Sequence, residues 1–168
     1  FRVTARLLDD LAWQPELVFL CQPNNPTGLP VDPALAGRVL DWCAGSGALL
    51  VMDECFVDLL DDGAAYSLRR RLAGGNLLIL RAFTKTYAMA GLRLGYCLSS
   101  DGALLEAMAA CGQPWGVSGP AQAAGIAALA EGDYVARLRR LIAAERPRLA
   151  AGLRALGCTV YDSRANFL

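Results

Sequence analysis

Of the 16 basic residues in this chain one is a lysine, Lys85, and the other fifteen are arginines. Where only positive charge is needed, the sequence uses arginine. A lone lysine asks for a role that arginine cannot fill. Arginine stays protonated and is no amine nucleophile, whereas lysine can lose its proton and form a Schiff base. The competing reading is a surface lysine that escaped a bias towards arginine. Thr84 precedes Lys85, and Arg93 lies eight residues on, past Ala90-Gly91. A hydroxyl and a guanidinium are a natural pair for a phosphate group. Arg93 sits between Leu92 and Leu94, and an arginine in an apolar run asks for a partner.

Two further polar residues stand where apolar runs end. Asp53 closes Leu49-Leu50-Val51-Met52 and could pair with a protonated ring nitrogen, keeping that ring a strong electron sink. Asn25, between Asn24 and Pro26, could donate its side-chain amide to a phenolic oxygen. Each also has a plain explanation as a turn residue. The chain contains no histidine, so neither a Ser-His-Asp nor a Cys-His nucleophile can be built from these residues. Chemistry here must run on lysine, carboxylates, tyrosine or a cofactor.

These residues need elements to hold them. Leu17-Val18-Phe19-Leu20-Cys21 is a short apolar run, expected as a buried strand. Asp32-Pro33 predicts a helix start, with the helix running to about Ala44 before Gly45 and Gly47. Strands are expected at Ala48 to Met52, Asn76 to Leu80 and Leu92 to Leu98. Helices are expected at about 101–111, 119–131 and, amphipathic and long, 133–156. Thr159-Val160-Tyr161 and Asn166-Phe167-Leu168 read as further strands. Apolar strands alternating with helices predict an α/β fold: a mostly parallel sheet with helices on both faces. Ligands of such sheets sit beyond the carboxyl ends of the strands, where Asn25, Asp53 and Thr84-Lys85 would all stand.

Bulk composition narrows the function. Sixteen acidic residues balance the sixteen basic ones, which leaves no electrostatic footprint for nucleic acid or an anionic membrane. No apolar run reaches the ~18 residues of a spanning helix, and the first ten residues do not form a signal peptide. The six cysteines at 21, 43, 55, 97, 111 and 158 form no CxxC pair. They read as reduced core residues, which points to the cytoplasm, and no metal site is expected.

The motif set resembles a known family. Asn25-Pro26-Thr27-Gly28, Asp53-Glu54, Thr84-Lys85 and Ala90-Gly91-Leu92-Arg93-Leu94-Gly95-Tyr96 are similar to motifs of the class I/II aminotransferase group of fold-type I enzymes, which use pyridoxal 5'-phosphate. The resemblance runs from about Leu17 to Leu168. It implies that Lys85 carries the cofactor and moves protons, Asp53 meets the pyridine nitrogen, Asn25 the ring hydroxyl, and Thr84 and Arg93 the phosphate. Ala82 departs from the pattern, because relatives often have a hydroxyl there.

Two branches fit best, histidinol-phosphate aminotransferase and the threonine-phosphate decarboxylase of cobalamin synthesis. Asp53-Glu54-Cys55-Phe56-Val57-Asp58, Gln113 to Ser118 and Arg164-Ala165-Asn166-Phe167 look more like the decarboxylase. Phe56 also stands where many aminotransferases have a tyrosine. The resemblance therefore implies decarboxylation of L-threonine O-3-phosphate to aminopropanol phosphate. The alternatives are amino transfer on histidinol phosphate or a related amino acid, and an inactive fragment or interaction module. It further implies a small phosphorylated amino-acid substrate and a homodimer. Residues 1–132 would be part of a large cofactor-binding domain, and 133–168 a linking helix and the start of a small C-terminal α/β domain. Gln113 to Ser118 and Arg164 are candidates for substrate or partner contact, with loop packing an equal alternative. The glycine-rich phosphate turn, the ring-stacking aromatic and the substrate-carboxylate arginine of the family are expected outside this sequence.

Overall fold

The computed structural model describes residues 2–168. Four strands form one sheet in the order β1-β2-β3-β4: β1 (Leu17–Cys21), β2 (Leu49–Asp53), β3 (Leu77–Ala82) and β4 (Gly95–Leu98). β1 and β2 run parallel, as do β2 and β3, while β4 returns antiparallel to β3. The sheet is thus mostly parallel. Long crossovers make the two parallel joints, and a short turn makes the antiparallel one.

The crossover from β1 to β2 carries α2 (Pro33–Ser46). Asp32 caps it by accepting from the Leu35 N–H at 3.0 Å, Pro33 takes the first turn, and Gly47 ends it at φ 78°. Gly45 stays inside the helix, which ends at Ser46, two residues beyond the expected boundary. The core lies between α2 and one face of the sheet. Leu35, Ala36, Val39, Leu40 and Cys43 pack there on Val18, Leu20, Leu50, Met52, Leu77 and Ile79. The other face is covered unevenly. Phe19, Val51 and Leu78 are register partners across it; Val51 and Leu78 are buried, but Phe19 is 66% exposed.

α1 (Arg6–Asp10) precedes the sheet, and α3 (Gly63–Tyr66) and a 3-10 turn at Leu68–Gly74 lie between β2 and β3. α4 (Phe83–Thr86) follows β3 directly. Then come α5 (Gly102–Cys111), α6 (Gly119–Ala130) and α7 (Tyr134–Ala155), close to their expected limits. None of the described helices is long and apolar enough to cross a membrane.

Three expected strands differ. β4 begins at Gly95, not Leu92, because Ala90–Leu92 is a 3-10 turn and Arg93 takes a left-handed φ of 55°. Thr159 to Tyr161 and Asn166 to Leu168 are irregular. An apolar run becomes a strand only where a neighbouring backbone completes its hydrogen bonds, and none of the described residues offers these two a ladder. Instead the chain end is held at single points. The Arg164 N–H donates to the Gly28 carbonyl at 2.8 Å, and Arg146 donates to the carbonyls of Arg164 and Ala165. Gly28 has φ +65°, and any Cβ there would overlap the Ser163 side chain. Only glycine allows this contact without displacement.

Candidate functional site

Parallel register sets the site. Cys21 pairs with Asp53, and Asp53 with Leu80. The carboxyl ends of β1, β2 and β3 therefore lie side by side, and the loops carrying Asn25, Asp53 and Thr84-Lys85 leave from one edge.

Asn24 shapes the first loop. Its side-chain amide donates to the Thr27 hydroxyl at 2.9 Å, and its backbone pairs with Gly28 and Leu29. Asn25 is exposed, and its side chain makes no hydrogen bond among the described residues. Its backbone N–H is directed at the Cys21 sulfur. Asp53 is half-buried, and its Oδ1 accepts from the Cys55 N–H at 2.9 Å. Burial, followed by the hydrogen bond and charge of Asp53, pushes the Cys55 thiol up to about 12. Burial and then Asp53 raise Cys21 as well. Both thiols stay neutral at neutral pH.

Lys85 lies on α4 and is exposed. Its Nζ sits 5.5 Å from the centre of the Phe56 ring, and Phe56 meets Phe167 edge-on at 5.3 Å. Thr84, half-buried, has no side-chain hydrogen bond among the described residues. The Phe83 N–H donates to the Leu94 carbonyl at 3.1 Å, continuing the ladder beyond the Ala82–Gly95 pair. The Arg93 guanidinium is exposed and donates only to the Ala90 carbonyl, at 3.1 Å.

The buried arginine at this end of the sheet is a different one. Arg81 has a side chain 12% exposed and bonds Glu54, which is 0% exposed, through Nε at 3.0 Å and Nη2 at 2.7 Å. Its Nη1 reaches Asp58 at 2.9 Å. Glu54 also accepts from the Ser67 hydroxyl and the Leu68 N–H. Burial alone would lower the Arg81 pKa, but Asp58 and Glu54 outweigh it and the net shift is upward. The sequence contained the signal for this network: Arg81 follows four apolar residues, and Glu54 follows Asp53. Arg81 thus finds its partners within the protein, whereas Arg93 has no side-chain partner among the described residues.

Two other candidate groups differ in their surroundings. Arg164 donates to the Tyr66 hydroxyl at 2.6 Å and lies 5.3 Å from that ring. Trp115, at φ 57°, is 96% exposed, while Ser118 caps α6.

The model of the family described as aminotransferase class I and II matches residues 3–168. The chain belongs to that family. An aromatic amino acid aminotransferase of Mycolicibacterium paratuberculosis is 40% identical over 154 residues, 90% of this chain and 42% of the relative. A histidinol-phosphate aminotransferase of an Anaeromyxobacter species is 40% identical over 163 residues, 94% of this chain and 43% of the relative. Among solved structures, the histidinol-phosphate aminotransferase of Sinorhizobium meliloti in complex with pyridoxal-5'-phosphate is 31% identical with a TM-score of 0.82. The match covers 98% of this chain and 45% of that one. The L-threonine-O-3-phosphate decarboxylase of Porphyromonas gingivalis matches at 23% identity and TM-score 0.75, over 89% of this chain and 45% of that one. At that identity it speaks for the fold. The chain thus spans less than half the length of these relatives.

Members of this family use pyridoxal 5'-phosphate. The residues present fit it by their chemistry. The loops that leave this sheet edge carry an amine, a carboxylate, an amide, a hydroxyl and a guanidinium, and the side chains of Asn25, Thr84 and Arg93 leave their donors free of other side chains among the described residues.

Proposed function

We propose that this chain supplies the cofactor-holding part of a pyridoxal-phosphate-dependent aminotransferase acting on a phosphorylated or aromatic amine substrate. The observation that carries the reading is the convergence of Asn25, Asp53 and Thr84-Lys85 at three adjacent parallel strand ends. The family match and the 40% identical relatives, both named as aminotransferases, support amino transfer over decarboxylation.

The roles follow from the side chains. Lys85 would be the amine that holds the cofactor, and its Nζ would carry a proton to or from the substrate α carbon. Its exposure leaves it free to move, and the Phe56 ring lies beside its Nζ. Asp53, whose Oδ1 is fixed by the Cys55 N–H, would meet the pyridine nitrogen. Neutral Cys21 and Cys55 beside it add no competing charge. Asn25 would donate to the ring oxygen, and Thr84 and Arg93 would hold the phosphate. Bound pyridoxal phosphate supplies the electron sink that lets a bond at the α carbon break. The assembly is a homodimer, and residues 133–168 lead from the cofactor domain into a second one; both rest on the family resemblance.

One observation favours a second outcome. Phe56 offers no hydroxyl beside Lys85, which is the feature that pointed to decarboxylation of threonine phosphate. Incubating the full-length protein with labelled substrates decides between them. Amino transfer from histidinol phosphate or phenylalanine to 2-oxoglutarate, measured as glutamate, is the expected result. Loss of the carboxyl label from threonine phosphate without any oxo acid would instead establish the decarboxylase.

A further inference from the structure

An open cavity of about 460 Å³ lies where α3, the Leu68–Gly74 turn and α7 meet. None of the five cofactor residues lines it. Its charged lining is four guanidiniums, Arg69, Arg70, Arg81 and Arg139, against one carboxylate, Asp58. Arg81 is already satisfied, since its three nitrogens are engaged by Glu54, Asp58 and Ser67. Arg139 spends only Nε, on the Asp58 carbonyl at 2.7 Å. Both its terminal nitrogens remain available. Arg69 and Arg70 are exposed and form no ion pair among the described residues.

Three of the other surface arginines are paired within the protein. Arg71 pairs with Asp41, Arg137 with Glu131 and Asp133, and Arg148 with Glu145. The unpaired guanidiniums of Arg69, Arg70 and Arg139 instead gather on one cavity. Gathering like charges is unfavourable unless an anion lies between them. At the cavity wall Gly63 packs against the Val57 carbonyl too closely for a Cβ, and the Arg139 Nη2 lies 3.4 Å from where that Cβ would stand.

We propose that the Arg69–Arg70–Arg139 cavity binds a phosphate-type dianion. Planar guanidinium forks suit oxyanions bidentately, and three of them outnumber the two oxygens of one carboxylate but match the oxygens of a phosphate. The site is independent of the cofactor reading, because it shares no residue with it.

The test uses the full-length protein saturated with pyridoxal phosphate, so that the cofactor's own phosphate site is filled. Equilibrium dialysis with radiolabelled inorganic phosphate measures binding to wild type, to Arg139→Gln and to the double variant Arg69→Gln/Arg70→Gln. A saturable site in the millimolar range or tighter is expected in the wild type. It weakens about tenfold or more in both variants, with the absorbance of the bound cofactor unchanged. Sulfate should displace the phosphate, and chloride at matched ionic strength should not. Arg139→Gln also loses a bond to the Asp58 carbonyl, so if it fails to fold the exposed double variant decides. Binding that survives intact in the double variant places the phosphate elsewhere and overturns the assignment. Absence of saturable binding, or equal displacement by chloride, overturns it too.

Discussion

Two polar clusters stand at the same end of one sheet and are built in opposite ways. The Arg81 guanidinium is itself satisfied: Glu54, Asp58 and Ser67 engage its three nitrogens within the protein. Around Lys85, the groups are left open: an exposed amine, an exposed arginine with one backbone contact, and amide and hydroxyl donors with no side-chain partner. The first cluster is buried and must be complete, because an unpaired charge in the interior costs several kcal/mol. The second faces solvent, where leaving donors free costs little and keeps them for a ligand. Both clusters carry charge, so charge alone does not mark function; satisfaction does.

Substitutions can break this contrast. The largest effect expected is on turnover. Lys85→Ala in the full-length enzyme should lower it by on the order of 10³-fold, while urea unfolding stays within about 0.5 kcal/mol of wild type. A variant that unfolds as it loses activity would show that Lys85 belongs to the structure. Next comes the mirror experiment. Glu54→Ala removes one partner of a buried pair and should cost about 3–5 kcal/mol of stability in the same unfolding assay. A negligible cost would mean that the network is solvated and dispensable.

A smaller change is expected from Asp53→Asn. The protein should fold normally and bind cofactor, yet turn over more slowly than wild type and faster than the lysine variant. The absorbance of the bound cofactor against pH should shift, since the group that holds the ring proton is altered. An unchanged titration would remove Asp53 from its role. The smallest effect is at the thiols. Unfolded Cys55 ionises near 9.0, but in the folded chain burial and Asp53 hold the proton to about 12. Between those values the unfolded form binds fewer protons, so stability falls as pH rises through that window. Cys55→Ala should flatten the slope there. Iodoacetamide at pH 8.5 should modify exposed Cys111 and Cys158 well before Cys55; equal rates would contradict the neutral-thiol description.

The sequence showed the open cluster more clearly than the closed one. Lys85 stood out as the one lysine, Arg93 as a charge inside an apolar run, and Asn25, Asp53 and Thr84 as polar residues at or after the ends of apolar runs. The partners of Glu54 lie 13, 14 and 27 residues away, and no local spacing pairs them. The same lack of distant information explains the misplaced strands. Thr159 to Tyr161 has β-forming residues, but strand formation needs a neighbour, and the described chain end is held by Arg146 and Gly28 instead. Helices, which complete their hydrogen bonds within one segment, were legible to within one or two residues at α5, α6 and α7. Reaction outcome was the least legible. Phe56 and short motif likenesses pointed to a decarboxylase, whereas similarity along the chain favours aminotransferases.

The central claim is that Lys85 holds the cofactor. Borohydride reduction of the full-length holoprotein, followed by proteolysis and mass mapping, tests it directly. A pyridoxyl group on the peptide containing Lys85 is the result this account requires. Its appearance on any other lysine of the protein, with Lys85 unmodified, would contradict it.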